Sequence, residues 1–387
     1  MLLRYWPRIV MACRRRYGTA FTLRIASVGT IVYLSDPADI KEVFAGDPRI
    51  FHAGEANSML SGLLGDSSVL VVDDDVHADR RRLMLAPFKR NAVARQVETM
   101  AEITATKVGR WPVDSDFPAA PRMCEITLEV ILRTVIGASD PTRLADLRRV
   151  LPQILNMGAF ALLAVRDARL QRRRPWRRVR ALIDEADRLL YAEIADRRAD
   201  PELVSRTDVL AMLVRAADDD GRVMTDRELR DQLMTLLVAG HDTTATALSW
   251  ALERLTRHPA ILAKAVQAAD ASAAGDPAGD EYLDAVAKEI LRIRPVVFDV
   301  GRVLTEPVDL AGYRLPAGVM VVPGIGPVHA SAQEYPDPDR FDPDRMIGAS
   351  LSPTTWLPFG GGNRRCLGAT FALVEMRVIL REVLRRV

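Results

Sequence analysis

A cysteine set among glycines near the end of the chain constrains the fold more than any other feature. In the string FGGGNRRCLG, the glycines at 360–362 precede Cys366 and Gly368 follows it. Because glycine has no Cβ atom, such a loop lets the backbone approach a flat group closely. Backbone N–H groups and the N-terminus of a following helix would stabilise a thiolate there. The alternative is a glycine-rich turn beside an incidental cysteine, which would be preferred for an isolated turn.

The composition indicates a globular protein with a large core. Of 387 residues, 49% are hydrophobic and 27% are charged, which is enough to form one domain over 1–387. The 53 basic and 51 acidic side chains leave a net charge of +2, so nothing indicates a nucleic-acid partner. The three cysteines cannot form a disulfide framework.

The N-terminus is a poor signal peptide, because Arg4, Pro7 and Arg8 interrupt its apolar run. No apolar stretch reaches the roughly 20 residues that a membrane-spanning helix needs. We therefore expect a soluble, cytoplasmic protein without a transmembrane anchor.

The hydrophobic periodicity predicts a mainly α fold with a minor β part. Short strands are expected around Gly29 and again between 303 and 322, where glycine and proline mark turns. Thr225 and Glu228 form a capping-box pattern that opens a long helix, and Pro259 closes that helix. A second helix, DEYLDAVAKEILRIR, ends before Pro295.

The middle of the long helix carries residues that a helix interior disfavours. They are Ala239, Gly240, His241, Asp242, Thr243 and Thr244. Gly240 would let a ligand lie against the backbone, and a threonine hydroxyl can bond back to a carbonyl. A polar patch facing solvent is the alternative, but the apolar flanks favour burial.

Two further pairs share a helical face. Glu289 and Arg292 can form a salt bridge three residues apart, although that spacing is common on solvated helices and means little alone. His77 and Arg81 lie four residues apart in HADRRR.

The string Phe359-x-x-Gly362-x-Arg364-x-Cys366-x-Gly368 matches the haem-binding signature of the cytochrome P450 family. The chain resembles that family over nearly its full length, with the other motifs in family order. The resemblance implies a cytochrome P450 fold and haem b (iron protoporphyrin IX). It also implies that Cys366 is the axial iron ligand, that Phe359 packs beside it, and that Arg364 pairs with a haem propionate.

The other motifs take on roles from the same resemblance. Asp242 and Thr243 would organise protons for O2 cleavage, with Ala239 and Gly240 lying against the haem. The remaining propionate-binding residues would be His77, Arg81 and Arg302. The structural cluster would comprise Glu289, Arg292 and Arg345, the last from Phe341-x-Pro343-x-Arg345.

The implied activity is that of a soluble, bacterial-type haem-thiolate monooxygenase acting on a hydrophobic small molecule. It would take two electrons from a ferredoxin and its NAD(P)H-dependent ferredoxin reductase, and one oxygen atom from O2. The residues predicted to line the pocket are 58–60, those ahead of Ala239, and 296–300.

The sequence leaves the roles of two basic segments undecided. The first, at Arg80, Arg82, Lys89 and Arg90, is either a docking face for an acidic electron donor or an ordinary solvated surface. The second, the run from 166 to 180, is a solvated loop by default, with contact to anionic lipid as the alternative.

Family chains continue past the helix that follows the cysteine, whereas this sequence stops at Val387. We therefore expect the fold without its usual C-terminal β-strands. Two other functions stay open: a catalytically silent haem-binding product of a truncated gene, and a haem-thiolate ligand sensor. The sensor would not need Asp242 and Thr243.

Overall fold

The structure is a computed structural model that describes residues 2–25, 28–138, 140–155 and 176–386. Helices dominate it. The α-helices of the described residues are α1 Leu2–Tyr17, α2 Pro37–Ala45, α3 Ala53–Ala56, α4 Ser61–Leu64, α5 Asp74–Met84, α6 Arg90–Ala94, α7 Val97–Val108, α8 Ala119–Ile131, α9 Pro141–Leu155, α10 Trp176–Ala199, α11 Val209–Arg215, α12 Asp226–Arg257, α13 Pro259–Ala273, α14 Pro277–Ile293, α15 Ile325–His329 and α16 Ala369–Leu384. Short 3-10 helices include Ser58–Leu60, Pro343–Met346 and Gly362–Arg364, and a π-helical turn, Leu132–Ile136, extends α8.

The β part is small and comes from two separate stretches of the described chain. The strands are β1 Ala20–Ile25, β2 Gly29–Leu34, β3 Phe51–His52, β4 Arg302–Leu304, β5 Val308–Leu310, β6 Tyr313–Leu315 and β7 Met320–Pro323. Five of them form a sheet in the order β1-β2-β7-β4-β3, in which only the β2–β7 pairing is parallel. The hairpin β5–β6 stands apart from it. The predicted mainly α fold with a minor β part is therefore confirmed.

The chain divides into two compact units by its internal contacts. Unit 1 comprises residues 1–56 and 247–369, and unit 2 comprises 57–246 and 370–387. Unit 1 contains the sheet and the cysteine loop. Unit 2 contains α5, α8 to α11 and the first part of α12. The prediction of one domain over 1–387 is not tested by this division.

The start of α12 has the local structure that its sequence predicts. The Thr225 hydroxyl accepts a hydrogen bond from the Glu228 N–H at 3.2 Å, and the Glu228 carboxylate accepts one from the Thr225 N–H at 2.8 Å. This reciprocal pair is the predicted capping box. The helix ends at Arg257, two residues before Pro259, because proline starts the next helix instead.

The N-terminal segment forms a helix that the sequence pattern did not predict. Arg4, Pro7 and Arg8 obscure its periodicity, yet Val10 is completely buried against Tyr33 and other core residues. The Trp6 indole N–H also donates to the Asp299 carboxylate at 2.6 Å. Tertiary packing therefore stabilises α1. Among the described helices, none is both long and apolar enough to cross a bilayer.

Candidate active site

The loop that carries Cys366 belongs to unit 1 and is held by its own backbone. The Cys366 N–H donates to the Phe359 carbonyl at 2.9 Å, and the Gly360 N–H donates to the Leu357 carbonyl at 2.9 Å. Gly360 has a φ of +65°, a conformation that favours glycine. The cysteine itself is exposed and lies three residues before α16 begins. The loop thus presents its thiol at the surface of unit 1.

Two of the glycines serve packing within the protein. A Cβ atom at Gly362 would lie 2.1 Å from the carbonyl oxygen of Phe44, and one at Gly361 would lie 2.3 Å from the Phe44 ring. These glycines therefore allow close contact with α2, whereas the sequence pattern predicted that they would allow close contact with a flat ligand. Gly368 has a different environment, since the nearest atom to its Cβ position is the Cys366 sulfur, 4.0 Å away.

Phe44 also connects the cysteine loop to a buried arginine. Arg302 is only 6% exposed, and its guanidinium lies over the Phe44 ring at 5.7 Å. Its Nη1 donates to the Gly301 carbonyl at 2.7 Å. Arg364 is half-buried in the loop itself. Unit 1 therefore brings Arg302 and the glycines of the cysteine loop together at Phe44, a residue that no sequence motif had indicated.

The three charged residues predicted as a structural cluster lie together in unit 1. Arg292 donates from Nε and Nη2 to the two oxygens of the Glu289 carboxylate, at 2.8 and 2.7 Å. Arg345 Nε lies 3.3 Å from the same carboxylate. The side chains of Glu289 and Arg292 are 0% and 1% exposed, so this pair is removed from solvent. Arg292 also donates to the carbonyl oxygens of His329 and Pro338.

The predicted oxygen-activation residues lie on α12 in unit 2. The helical period separates them into two faces: Ala239 and Asp242 are exposed and Thr243 is half-buried, while His241 and Thr244 are buried. The expectation that the whole polar patch is buried is therefore wrong. Thr243 does bond back to the helix, because its hydroxyl donates to the Ala239 carbonyl at 2.6 Å.

Gly240 and His241 serve helix packing in unit 2. A Cβ atom at Gly240 would lie 2.7 Å from Cδ1 of Ile131, so the glycine allows α8 to approach α12. The His241 Nδ1 lies 2.8 Å from the Thr127 hydroxyl, and burial lowers the pKa of the imidazole. His241 is thus a neutral residue that packs α12 against α8.

Helix α5 carries the predicted His77 and Arg81, which are buried and half-buried. Its neighbour Arg80 is buried as well and forms a 2.5 Å ion pair with Glu228. The suggestion that Arg80 belongs to a basic docking face is therefore wrong. Helical position decides this, because Arg80 lies one turn after His77 on the buried face.

The other basic residues of that predicted face are exposed. Arg82 forms ion pairs with Asp79 and Asp219, at 2.8 and 2.6 Å, so part of its charge is neutralised. Lys89 and Arg90 are exposed without an ion pair to another described residue in the structure. Of the basic run predicted over 166–180, residues 166–175 lie outside the described residues and 176–180 begin α10.

Among the buried acids that sequence reasoning missed is Glu375, in the apolar stretch FALVEMR of α16. Its carboxyl group is hydrogen-bonded to Thr244, and its Oε1 has no hydrogen-bond partner among the described residues. Burial raises the pKa of this carboxyl to about 8. The signal available in the sequence was a lone acid between apolar neighbours in a helix.

Glu375 predicts a pH-dependent stability. Its folded-state pKa of about 8 exceeds the ordinary value of 4.5, so only the folded protein keeps this proton between those values. The Glu375 contribution to the free energy of unfolding should therefore fall by about 1.4 kcal/mol per pH unit across that window. Urea unfolding at several pH values should show that the free energy of unfolding of Glu375→Gln increases relative to that of the wild type as pH rises. Parallel stability curves would contradict this prediction.

The residues predicted to line a pocket are only partly exposed. Met59 and Val297 are 42% and 41% exposed. Phe298 instead fills the space beside Gly326, and Asp299 accepts a hydrogen bond from Tyr33. Within 296–300, Val297 is thus the residue left most available to a ligand.

The donor set fits a haem better than a metal ion held by protein side chains alone. Among the described residues, no group of three or more His, Cys, Asp and Glu side chains could hold a metal ion. A porphyrin supplies four nitrogen ligands and needs one protein ligand, which the exposed Cys366 can provide. The half-buried Arg364 and buried Arg302 supply charge suited to carboxylates.

The family model described as "Cytochrome P450" matches residues 6–387. The chain belongs to the cytochrome P450 family. It is 74% identical to the provisionally named cytochrome P450 135B1 of Mycobacterium bovis, over all of this chain and 82% of that protein. It is 42% identical to the provisionally named cytochrome P450 135A1 of Mycobacterium tuberculosis H37Rv, over all of this chain and 85% of that protein.

The solved structures agree with this assignment. The structure of retinoic acid bound cyanobacterial CYP120A1 is 25% identical in sequence, with a TM-score of 0.84. The match covers 97% of this chain and 86% of that chain. The fold is therefore that of a cytochrome P450, as the sequence predicted. Cytochromes P450 are haem-thiolate monooxygenases that use O2 and receive electrons from a redox partner.

Proposed function

We propose that this cytochrome P450 inserts one oxygen atom from O2 into a hydrophobic small molecule. The second oxygen atom leaves as water, and the reaction consumes two electrons and two protons. A ferredoxin with its NAD(P)H-dependent reductase supplies the electrons, and the cytoplasm is the proposed compartment. Exposed Lys89 and Arg90 support docking of an acidic donor such as a ferredoxin.

The observation that carries this proposal is the geometry of the cysteine loop. Cys366 is exposed, its N–H is already bonded to Phe359, and its loop is fixed against Phe44 by two glycines. A ligand held in place before the metal binds needs little reorganisation to coordinate it. The loop therefore suits a permanent axial ligand.

Each proposed residue has a defined task toward haem b. Cys366 would hold the iron through its sulfur, with Phe359 and Gly368 flanking it. The positively charged or hydrogen-bonding side chains of His77, Arg81, Arg302 and Arg364 would hold the propionate groups. When bound, the haem supplies the activation of O2. Exposed Ala239 would let α12 lie close to its face, whereas the missing Cβ of Gly240 makes room for Ile131.

Asp242 and Thr243 move protons toward the reacting oxygen. Asp242 is exposed on α12, so it can exchange protons with water. The Thr243 hydroxyl donates its hydrogen to the Ala239 carbonyl at 2.6 Å, so its lone pairs stay available to accept a hydrogen bond from a proton-carrying group. The pair thus supplies protons where an apolar site lacks bulk water.

The substrate class rests on apolar exposed groups. Met59 and Val297 are the exposed residues of two segments predicted to line the pocket. The structurally similar cyanobacterial CYP120A1 is bound to retinoic acid, a hydrophobic carboxylate. Both observations support a hydrophobic small molecule as the substrate.

The test combines one spectrum and one turnover assay on the haem-loaded protein. A red-shifted Soret band in the ferrous–CO complex supports thiolate ligation by this chain. NAD(P)H consumption that depends on substrate and matches product supports oxygenation. A thiolate band without any turnover across a hydrophobic library would favour the ligand-sensor or silent alternative.

Thr243→Ala should separate O2 reduction from product formation. We expect haem binding to be retained, while most reducing equivalents are diverted to hydrogen peroxide, because proton delivery has lost its hydroxyl. The measurement is the ratio of product and of peroxide to NAD(P)H consumed. The matched control is Thr256→Ala, since the Thr256 hydroxyl makes the same back-bond, to the Leu252 carbonyl at 2.9 Å, near the C-terminal end of α12. Unchanged coupling in Thr243→Ala would refute the proton-delivery role.

A further inference from the structure

A buried histidine lies between the charged cluster and the cysteine loop of unit 1. His329 ends α15 and is 1% exposed. The Leu357 N–H donates to its Nε2 at 2.8 Å. Since a backbone N–H can only donate, Nε2 must be the acceptor, and the neutral ring carries its proton on Nδ1. That Nδ1–H donates to the Arg292 carbonyl at 3.1 Å.

The protonation state of His329 is constant under ordinary conditions. Burial, together with the positive charge of Arg292, lowers the pKa of this imidazole to about 3. The ring therefore stays neutral near pH 7, and Nε2 keeps its lone pair for Leu357. The ring also packs edge-on against Tyr335, with centroids 6.2 Å apart.

Leu357 is the point at which the cysteine loop leaves the core. Its side chain is completely buried, and its carbonyl accepts the Gly360 N–H at 2.9 Å. The next contact along the loop joins the Phe359 carbonyl to the Cys366 N–H. A continuous series of hydrogen bonds thus runs from Glu289 and Arg292, through His329, to the turn that precedes Cys366.

We propose that His329 is a positioning residue for the cysteine ligand, and that it acts by holding the Leu357 N–H through Nε2. This inference rests on the proposed role of Cys366 as the haem ligand. The imidazole keeps the start of the loop in place, so the sulfur stays at the distance and angle that thiolate ligation needs. Removing the acceptor leaves a buried N–H unpaired, which favours loop displacement.

Two conservative variants separate the acceptor from the rest of the ring. In His329→Gln, the longer side chain places an amide oxygen near the Nε2 position, where it can accept from Leu357. In His329→Asn, the shorter side chain places its amide near Nδ1, where it can donate to the Arg292 carbonyl but not reach Leu357. Both variants lose the aromatic ring, so their difference reports on the acceptor.

The readout is the ferrous–CO spectrum of the haem-loaded proteins during mild urea treatment. We expect the thiolate band of His329→Asn to convert to the unshifted band roughly tenfold faster than in the wild type. The rate for His329→Gln should stay within about twofold of the wild type. A general loss of stability would accelerate both variants alike.

Each outcome decides the proposal. Equal rates in the two variants, or a wild-type rate in His329→Asn, overturn it. If His329→Asn binds no haem, the proposal is tested by His329→Gln alone, and it stands only if that variant keeps the thiolate band. If neither variant binds haem, ring packing holds the loop and the proposal fails. A wild-type protein without a thiolate band would instead refute the proposed function itself.

Discussion

Replacing Cys366 with serine is expected to abolish the red-shifted Soret band of the ferrous–CO complex completely. A serine hydroxyl remains protonated near neutral pH, so it cannot supply the anionic, electron-donating sulfur that defines this ligation. Substrate oxidation should fall to background for the same reason. The measurements are the ferrous–CO difference spectrum and product formation, both per mole of bound haem.

Cys124→Ser is the matched control. Cys124 is half-buried in α8, and burial together with nearby Asp242 and Glu125 raises the pKa of its thiol. It therefore stays a neutral thiol, and its replacement should leave the shifted band unchanged. A shifted band that survives in Cys366→Ser would remove Cys366 from the site.

Arg292→Ala should destabilise the fold more than any substitution at an exposed arginine. It leaves the wholly buried Glu289 carboxylate without its bidentate partner, so that Arg345 at 3.3 Å and the Asp342 N–H at 3.1 Å remain as weaker partners. Removing one partner of a buried ion pair typically costs about 3–5 kcal/mol. Urea unfolding of the haem-loaded protein should show this loss.

An exposed pair with the same sequence spacing provides the control. Glu185 and Arg188 are also three residues apart, with 2.9 Å between their charged atoms, but Arg188 is 61% exposed. Arg188→Ala should leave the unfolding midpoint unchanged within error, because solvent screens such pairs. Similar losses in the two variants would mean that burial does not determine the strength of the Glu289–Arg292 pair.

Structural features that depend only on a few neighbouring residues were predicted well. The capping box at Thr225 and Glu228 depends on atoms within one turn, so the sequence contains all its partners. The string around Cys366 likewise indicated the family, and the family comparison and fold agree with it. The roles assigned to individual site residues stay predictions.

Structural features that depend on residues distant in the sequence could not be predicted. Gly240 was expected to face a ligand but accommodates Ile131 from another helix. Helix α1 has little local signal, and it is stabilised by Val10 in the core and by Trp6 bonded to Asp299. Nothing near His329 in the sequence indicated that it would accept a hydrogen bond from Leu357.

The sequence by itself determined the family, the mainly helical fold and the cysteine loop. These features depend on local sequence patterns, which can be recognised without knowing which distant residues pack against them. Only the tertiary structure decided which chemically similar residues differ in role. Glu185 with Arg188 and Glu289 with Arg292 are the same motif in the sequence, yet one pair is solvated and the other is buried. The reason is physical: the strength of a charge or hydrogen bond depends on the dielectric and the partners around it, and residues far apart in the chain supply both.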